Sequence, residues 1–346
     1  MSDWRIFRGN QKSYSEWKLP PAPSWRPFGT EMQPGESRRK RRGETFQARE
    51  QEIEMVNAAL YLRRPLFITG RPGTGKSSLA YAVAQELQLG EVLYWPITTR
   101  TTLQDGLYSY DAIGRLQEAK QQELAYTKEG KQNYDPKEEL RRIEKYITLG
   151  PLGTALLSSP KPRVLLIDEI DKSDIDLPND LLTIFEEGRF EIPELVRIKQ
   201  EVPKVRVRTS YSDEKESLTW QDQEVEITRG KISCQAFPFV ILTSNNERDF
   251  PAPFLRRCLR LDMKPPEKED LERIVKAHFK QEFTTEDLPD QVDKLIEKFL
   301  EEREEGTIAT DQLLNAIYII TRERSPQMDS KDRIIKQLLK KLDREV

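Results

Sequence analysis

Histidine and cysteine are nearly absent from this chain, which has one His (His278) and two Cys (Cys234 and Cys258) in 346 residues. One imidazole excludes His-based triads and most zinc sites, and two thiols cannot build a disulfide framework. Long apolar runs are also missing. Runs such as "VLLI" and "FVIL" fall far short of the roughly 20 residues a membrane-spanning helix needs. The N-terminal "MSDWRIFRGNQ" has no apolar secretory region, so a reduced, cytoplasmic protein is expected. Charge of one sign is not in excess either: 56 Lys and Arg against 59 Asp and Glu leave a net −3, so no bulk field selects nucleic acid. The charges read as solvated helix faces. Chemistry is left to carboxylates, lysine, arginine, hydroxyls and bound ions.

Residues 1–45 combine proline, tryptophan and charge ("KLPPAPSWRPF", then "SRRKRRG") without a periodicity that could build a core. They read as an extended arm, and Trp4, Trp17 and Trp25 suggest that it docks on its own core or on a partner. From Phe46 the pattern changes. Phe46, Ile53, Val56 and Leu60 space like one helix face, and strand-like runs follow at 65–70, 91–97, 163–168 and 237–245 with helical patterns between them. Such alternation predicts a parallel sheet covered by helices over 46–262. Two stretches interrupt it as insertions: a charged helical segment at about 114–147 and, at about 196–235, the alternating pieces "PKVRVRTS" and "EVEITRGKIS", which predict a β-ribbon. Residues 263–346 carry four apolar stripes at helical spacing (Leu271, Ile274, Val275, Phe279; Val292, Leu295, Ile296, Phe299; Leu313, Leu314, Ile317; Ile334, Ile335, Leu338, Leu342) and read as a small helical domain.

Three constellations carry chemistry. "GRPGTGKS", Gly70 to Ser77, fits G-x-x-x-x-G-K-[ST] between a strand and the helix-forming "SLAYAVAQEL". Gly70, Arg71, Pro72, Gly73, Thr74, Gly75, Lys76, Ser77 and Ser78 are therefore the candidate nucleotide-binding residues. Glycines let the backbone wrap phosphates, and amides at a helix N-terminus supply positive ends. Lys76 suits the β- and γ-phosphates and Ser77 a Mg²⁺ ion. "RVLLIDEID" then places Asp168 and Glu169 at a strand end, where α/β sheets keep ligand sites. Asp168 suits the Mg²⁺ shell, directly or through water, and Glu169 the activation of a water; Asp171 reads as a helix N-cap. In "VILTSNN", Asn245 can hold the attacking water or sense the γ-phosphate, unless the Ser-Asn-Asn is simply a turn. Finally, "RDFPAPFLRRC" ends in Arg256 and Arg257 with no acidic residue in the six that follow Asp249.

These motifs resemble the AAA+ ATPases and, within them, the MoxR-type group. The lysine loop matches Walker A and "DEID" matches Walker B. "LGPLGTALL", "LPNDLLTIFEEGRFEI" and "TSNNERDFPAPFLRRC" resemble the MoxR group more specifically, over about residues 44–346. "WPITTRTTLQDGLYSYDAIGRLQ" is similar to bacterial MoxR-like ATPases encoded beside von Willebrand factor A domain proteins. The resemblance implies an α/β ATPase core with a helical lid. It implies a ring, usually a hexamer, with ATP and Mg²⁺ at each subunit interface, and protein partners that are remodelled or activated, among them a von Willebrand factor A protein. By motif, Asn245 is sensor 1 and Arg257 the arginine finger acting on a neighbour's nucleotide, with Arg256 a close second. The lid departs from the family, since Thr310 and Asp311 stand where a sensor 2 arginine is common; another residue, such as Arg322, takes that role or none does. Two other readings stand beside the motor. One is an ATP-gated scaffold, which the absent sensor 2 arginine favours. The other is a nucleic-acid ATPase using the basic arm and the "KVRVR" ribbon.

Overall fold

The computed structural model describes residues 5–7, 9–11, 13, 19–26, 38–129, 140–211, 223–280, 282–283, 288–304, 306–322, 326 and 328–341. Trp4, Trp17 and Leu342 lie outside them, as do about half of the arm and parts of both insertions. The chain divides into two compact units. One comprises 49–69 and 83–262; the other comprises 1–48, 70–82 and 263–346.

In the first unit α2 (Glu50–Leu62) leads to β1 (Leu66–Thr69), and β2 (Leu93–Pro96), β5 (Val164–Asp168), β10 (Phe239–Ser244) and β11 (Leu259–Asp262) complete a sheet in the order β11-β1-β10-β5-β2. Every pairing in it is parallel. Val164 to Ile167 and all of β10 are buried, because a parallel sheet covered on both faces needs continuous rather than alternating apolar residues. Leu166 pairs with Ile241 and Ile167 with Leu242, which sets Asp168 beside Thr243 at the carboxyl edge. The fifth strand, β11, does not show in the sequence reading: "LRLD" is short, and two of its four residues are charged and exposed.

A second sheet has the order β3-β4-β7-β8-β9-β6. Its strands are β3 (Tyr108–Tyr110), β4 (Ile147–Leu149), β6 (Arg189–Glu191), β7 (Lys204–Arg208), β8 (Glu224–Thr228) and β9 (Lys231–Ser233). β7 and β8 pair antiparallel. Positive φ at Arg229 and Gly230 (57° and 70°) then turns the chain into β9, as a two-residue hairpin turn requires. Through the pairing of β7 with β4 the ribbon is continuous with β3 and β4, the two strands that flank the other interrupting stretch. Between these strands lie α4 (Leu103–Leu107), α5 (Ala112–Glu129), α6 (Pro151–Ala155), α7 (Leu177–Glu187) and α8 (Pro193–Arg197), and α9 (Ala252–Arg257) precedes β11.

The second unit contains α1 (Arg38–Thr45) and a helical cluster of α10 (Lys268–His278), α11 (Asp290–Glu304), α12 (Thr310–Thr321) and α13 (Met328–Leu338). α3 (Lys76–Glu86) begins in this unit. Leu271, Val275, Phe279, Val292, Ile296, Phe299, Leu313, Ile317 and Ile335 meet in one buried core. Gln312 fixes the entry to α12: its Oε1 accepts from the Ala309 amide at 2.9 Å while its Nε2 donates to the Leu338 and Lys340 carbonyls. Trp25 packs against this core and makes edge-on contacts to His278, Phe279 and Tyr318.

Burial pushes the His278 imidazole down to about 4, below its ordinary value of about 6.5. The unfolded chain therefore binds a proton that the folded chain refuses, and this contribution to stability is lost as pH falls from about 6.5 towards 4. Denaturant unfolding of wild type and His278→Gln at pH 7 and pH 4.5 measures it. Wild type should lose about 2 kcal/mol more than the variant between the two pH values; equal losses would refute the assignment.

Candidate active site

The phosphate-type loop starts at the residue after β1. Gly73 (φ +77°) and Gly75 (φ +92°) occupy backbone conformations that side chains resist. A Cβ on Gly73 would stand 2.6 Å from the Ala309 Cβ, and one on Gly75 3.0 Å from the Phe46 ring. Arg71, Pro72 and Gly73 are exposed and Thr74 is half-buried, its hydroxyl donating to the Arg71 carbonyl at 3.0 Å. Lys76 is buried, and its ammonium donates to the carbonyls of Gly70 (2.6 Å) and Arg71 (3.0 Å). Ser77 and Ser78 lie in the first turn of α3. A loop with glycines at 70, 73 and 75, a lysine folded over it and a following helix of 11 residues fit a polyphosphate.

The helical elements of the same unit close on this loop. Ala309 and Thr310, which start α12, lie against Gly73. Arg303, at the end of α11, donates to the Pro266 carbonyl at 2.7 Å and lies over the Phe299 ring. Burial, and then the nearby Arg71 charge, hold its guanidinium below the usual arginine range. Arg322 is at the far end of α12, about 18 Å along the axis from Thr310 at 1.5 Å per residue. It sits 4.0 Å over Tyr318 and pairs with Glu282 at 3.1 Å. Arg303, not Arg322, is the arginine that the fold brings near the loop.

At the carboxyl edge of the parallel sheet one hydroxyl organises the acidic pair. Thr243 donates to Asp168 Oδ1 at 2.7 Å and accepts from the Glu169 amide at 2.9 Å, while Tyr94 donates to Asp168 Oδ2 at 3.3 Å. Glu169 has φ +61°, and Asn246, just past the neighbouring strand end, +62°. For a residue with a side chain such a conformation costs on the order of 1 kcal/mol and gathers at functional turns. The Glu169 carboxylate meets Lys172 at 2.7 Å and raises that ammonium above its ordinary range.

Asp171 is not a helix N-cap. It is 6% exposed, and its Oδ2 accepts from the amides of Asn245 (2.8 Å) and Glu247 (3.3 Å), so it ties the turn after β5 to the turn after β10. Arg248 makes the same connection from the other side, donating to Ser173 Oγ at 2.7 Å and to the carbonyls of Ser173, Ile170 and Asp174. Its guanidinium lies 5.3 Å from the centre of Phe250, whose ring packs on Phe67 and Phe254. None of Thr243, Asp171 and Arg248 stands out in the sequence as a positioning group. The only signal is that they lie in or beside "DEID" and "TSNNER".

Arg256 and Arg257 form the last turn of α9. Contrary to the sequence expectation, Arg257 has an acidic partner: its Nε donates to Glu186 Oε1 of α7 at 2.5 Å. Arg256 is exposed, and its carbonyl accepts from Arg64 at 3.4 Å. Thiol chemistry is disfavoured, since burial pushes Cys258 up to about 12 and raises Cys234 as well. The ribbon's cations are offset across the strands, with Arg206 opposite Glu226 and Arg208 opposite Glu224, and Lys204 bonded to Glu226 at 2.8 Å.

No curated protein matches the chain. The family model for the AAA domain of the dynein-related subfamily matches residues 65–258, more than half of the 346 residues. That span opens at the residue before β1 and closes just beyond the arginine pair, taking in the glycine loop, the acidic strand end and Thr243 together, and the chain belongs to this AAA family.

Proposed function

We propose that the chain is a MoxR-type ATPase that works as a ring, most simply a hexamer, and uses ATP hydrolysis to remodel or activate partner proteins. ATP binding and hydrolysis in the general sense go with the AAA domain, and such domains typically assemble in rings. The finer reading rests on the resemblance of the residues around both strand ends to the MoxR group. A von Willebrand factor A domain protein is its proposed partner. The domain assignment that goes with it is an arm of 1–45, a core of 46–262 and a lid of 263–346.

The observation that carries the hydrolytic reading is the Thr243 hydroxyl, which fixes the Asp168 carboxylate and the Glu169 backbone at once. Gly70 to Ser78 would hold the phosphates, with Lys76 leaving the loop carbonyls for them. Ser77 and Asp168 would hold Mg²⁺, which neutralises charge on the phosphates when bound. Glu169, released from Lys172, would orient the attacking water, with Asn245 beside it. A scaffold that only binds ATP has no use for a carboxylate placed this way. The cross-strand glutamates of the ribbon remove the main support for a nucleic-acid ATPase. Glu169→Gln should keep nucleotide binding and lose roughly 10²–10⁴-fold in turnover, read by phosphate release against titration with a fluorescent ATP analogue. Biological activity surviving that loss would favour the scaffold instead.

Arg303 takes the lid position that Thr310 and Asp311 leave without an arginine. Two guanidinium groups that repel each other beside a phosphate loop are relieved by an anion, so Arg303→Ala should raise KM for ATP about tenfold or more, on the order of 1.4 kcal/mol. An unchanged KM would remove Arg303 from the site.

Arg257 is the proposed finger, with Glu186 as its resting partner. Ion pairs this exposed are worth about 0–1 kcal/mol and yield to a phosphate. Arg257→Ala rings should regain ATPase activity when co-assembled with Lys76→Ala rings, because some interfaces then join an intact loop to an intact arginine. Recovery with Arg256→Ala and none with Arg257→Ala would move the role by one residue.

A further inference from the structure

The arm segment that ends in Trp25 is held in a way its sequence does not require. Its indole N–H donates to Asn315 Oδ1 at 3.2 Å. Its ring stands edge-on to His278, Phe279 and Tyr318 at centroid distances of 5.6, 5.6 and 5.8 Å. The Tyr318 hydroxyl donates to the Pro21 carbonyl, and the Ser24 hydroxyl donates to the His278 carbonyl at 3.3 Å. All the receiving residues belong to α10, α12 or the residue after α10. They form an aromatic groove with one amide acceptor and one hydroxyl donor. A cavity of about 380 Å³ adjoins it, with Arg42, Lys280, Glu282 and Arg322 in its wall.

We propose that this groove is a recognition site for proline-punctuated protein segments of the pattern Pro-x-x-Pro-x-Trp. The chain's own Pro20 to Trp25 fills it as an internal ligand, and a partner segment of the same chemistry competes for it.

Three observations support recognition over simple core packing. First, no residue from Leu19 to Arg26 is fully buried, whereas Leu271, Val275, Phe299 and Ile317 beneath the groove are. The segment therefore lies on the surface of this core and not within it. Second, the contacts fit the chemistry of a proline segment. Proline has no N–H, so its carbonyls are what a groove can read, and aromatic walls with a hydroxyl donor are the usual reader. Tyr318 supplies that donor to Pro21. Third, the anchor is a tryptophan with its N–H satisfied, the side chain that most often dominates small recognition surfaces. The proposal is independent of ATP chemistry.

A tethered ligand acts at an effective concentration on the order of 1 mM. A free peptide with an intrinsic Kd of roughly 10–100 μM would then bind the wild-type chain roughly 10–100-fold more weakly than a chain whose own segment is disabled. The probe is a fluorescein-labelled peptide of residues 19–26 (LPPAPSWR), titrated by anisotropy into full-length protein. Trp25→Ala protein should bind it at least roughly tenfold more tightly than wild type, and adding Tyr318→Phe should weaken that binding. A peptide with Ala for Trp should not bind. Equal binding to wild type and to folded Trp25→Ala protein, or equal binding of the two peptides, overturns the proposal. If Trp25→Ala protein loses cooperative unfolding, a Pro20→Ser, Pro23→Ser protein that keeps Trp25 decides by the same criterion.

Discussion

The register of β5 against β10 is the constraint from which the acidic half of the site follows. With Ile167 opposite Leu242, the next residues out are Asp168 and Thr243, and a threonine hydroxyl there reaches both the carboxylate of Asp168 and the amide of Glu169. A slip of one residue would turn Thr243 to the other face of the sheet, leaving the Glu169 turn without its acceptor. Val164 to Ile167 and all of β10 are buried, so Asp168 stands where the apolar run of β5 reaches its polar end. Apolar packing therefore sets the position of the charged groups, and the polar bonds at the edge add orientation within that frame.

Orientation is carried outward from this edge by two residues of opposite charge. Asp171 collects the amides of Asn245 and Glu247, and Arg248 collects a hydroxyl and three carbonyls from 170–174, so the turns after β5 and β10 are bolted together from both sides. Charge-assisted bonds of this kind are the stronger class, and here they are spent on backbone groups that would otherwise be left in a turn without partners. Arg248 also leans on Phe250, whose ring contacts Phe254 in the first turn of α9. The turn bearing Glu169 and the helix bearing Arg256 and Arg257 thus share one packed path.

The glycine loop, the acid pair and the candidate sensor were legible in the sequence because their chemistry is local: phosphate contact needs glycines, lysine and hydroxyl within eight consecutive residues. The supports were not legible because they act across the chain. Thr243 reaches Asp168 over 75 positions and Arg257 reaches Glu186 over 71, and no periodicity encodes either contact. β11 carries no strand signal of its own for a related reason, since its pairing with β1 rather than its composition makes it a strand. The tryptophans of the arm raised the question of docking, and only the placement of Asn315 and Tyr318 on one face of α12 answers where Trp25 goes. Arg322 shows the reverse error. Its residue type fits a phosphate ligand, but the length of α12 carries it away from the loop.

α12 gives the second unit its internal logic. Its first residues lie against Gly73, and Asn315 and Tyr318, five and eight residues further on, hold Trp25 and Pro21. At 1.5 Å per residue the two contacts are about 8–12 Å apart, on a helix whose entry Gln312 clamps to the end of α13. The residues that lie against Gly73 and the residues that hold Trp25 and Pro21 therefore belong to one helix, and the packing of α12 on the core of its unit places both.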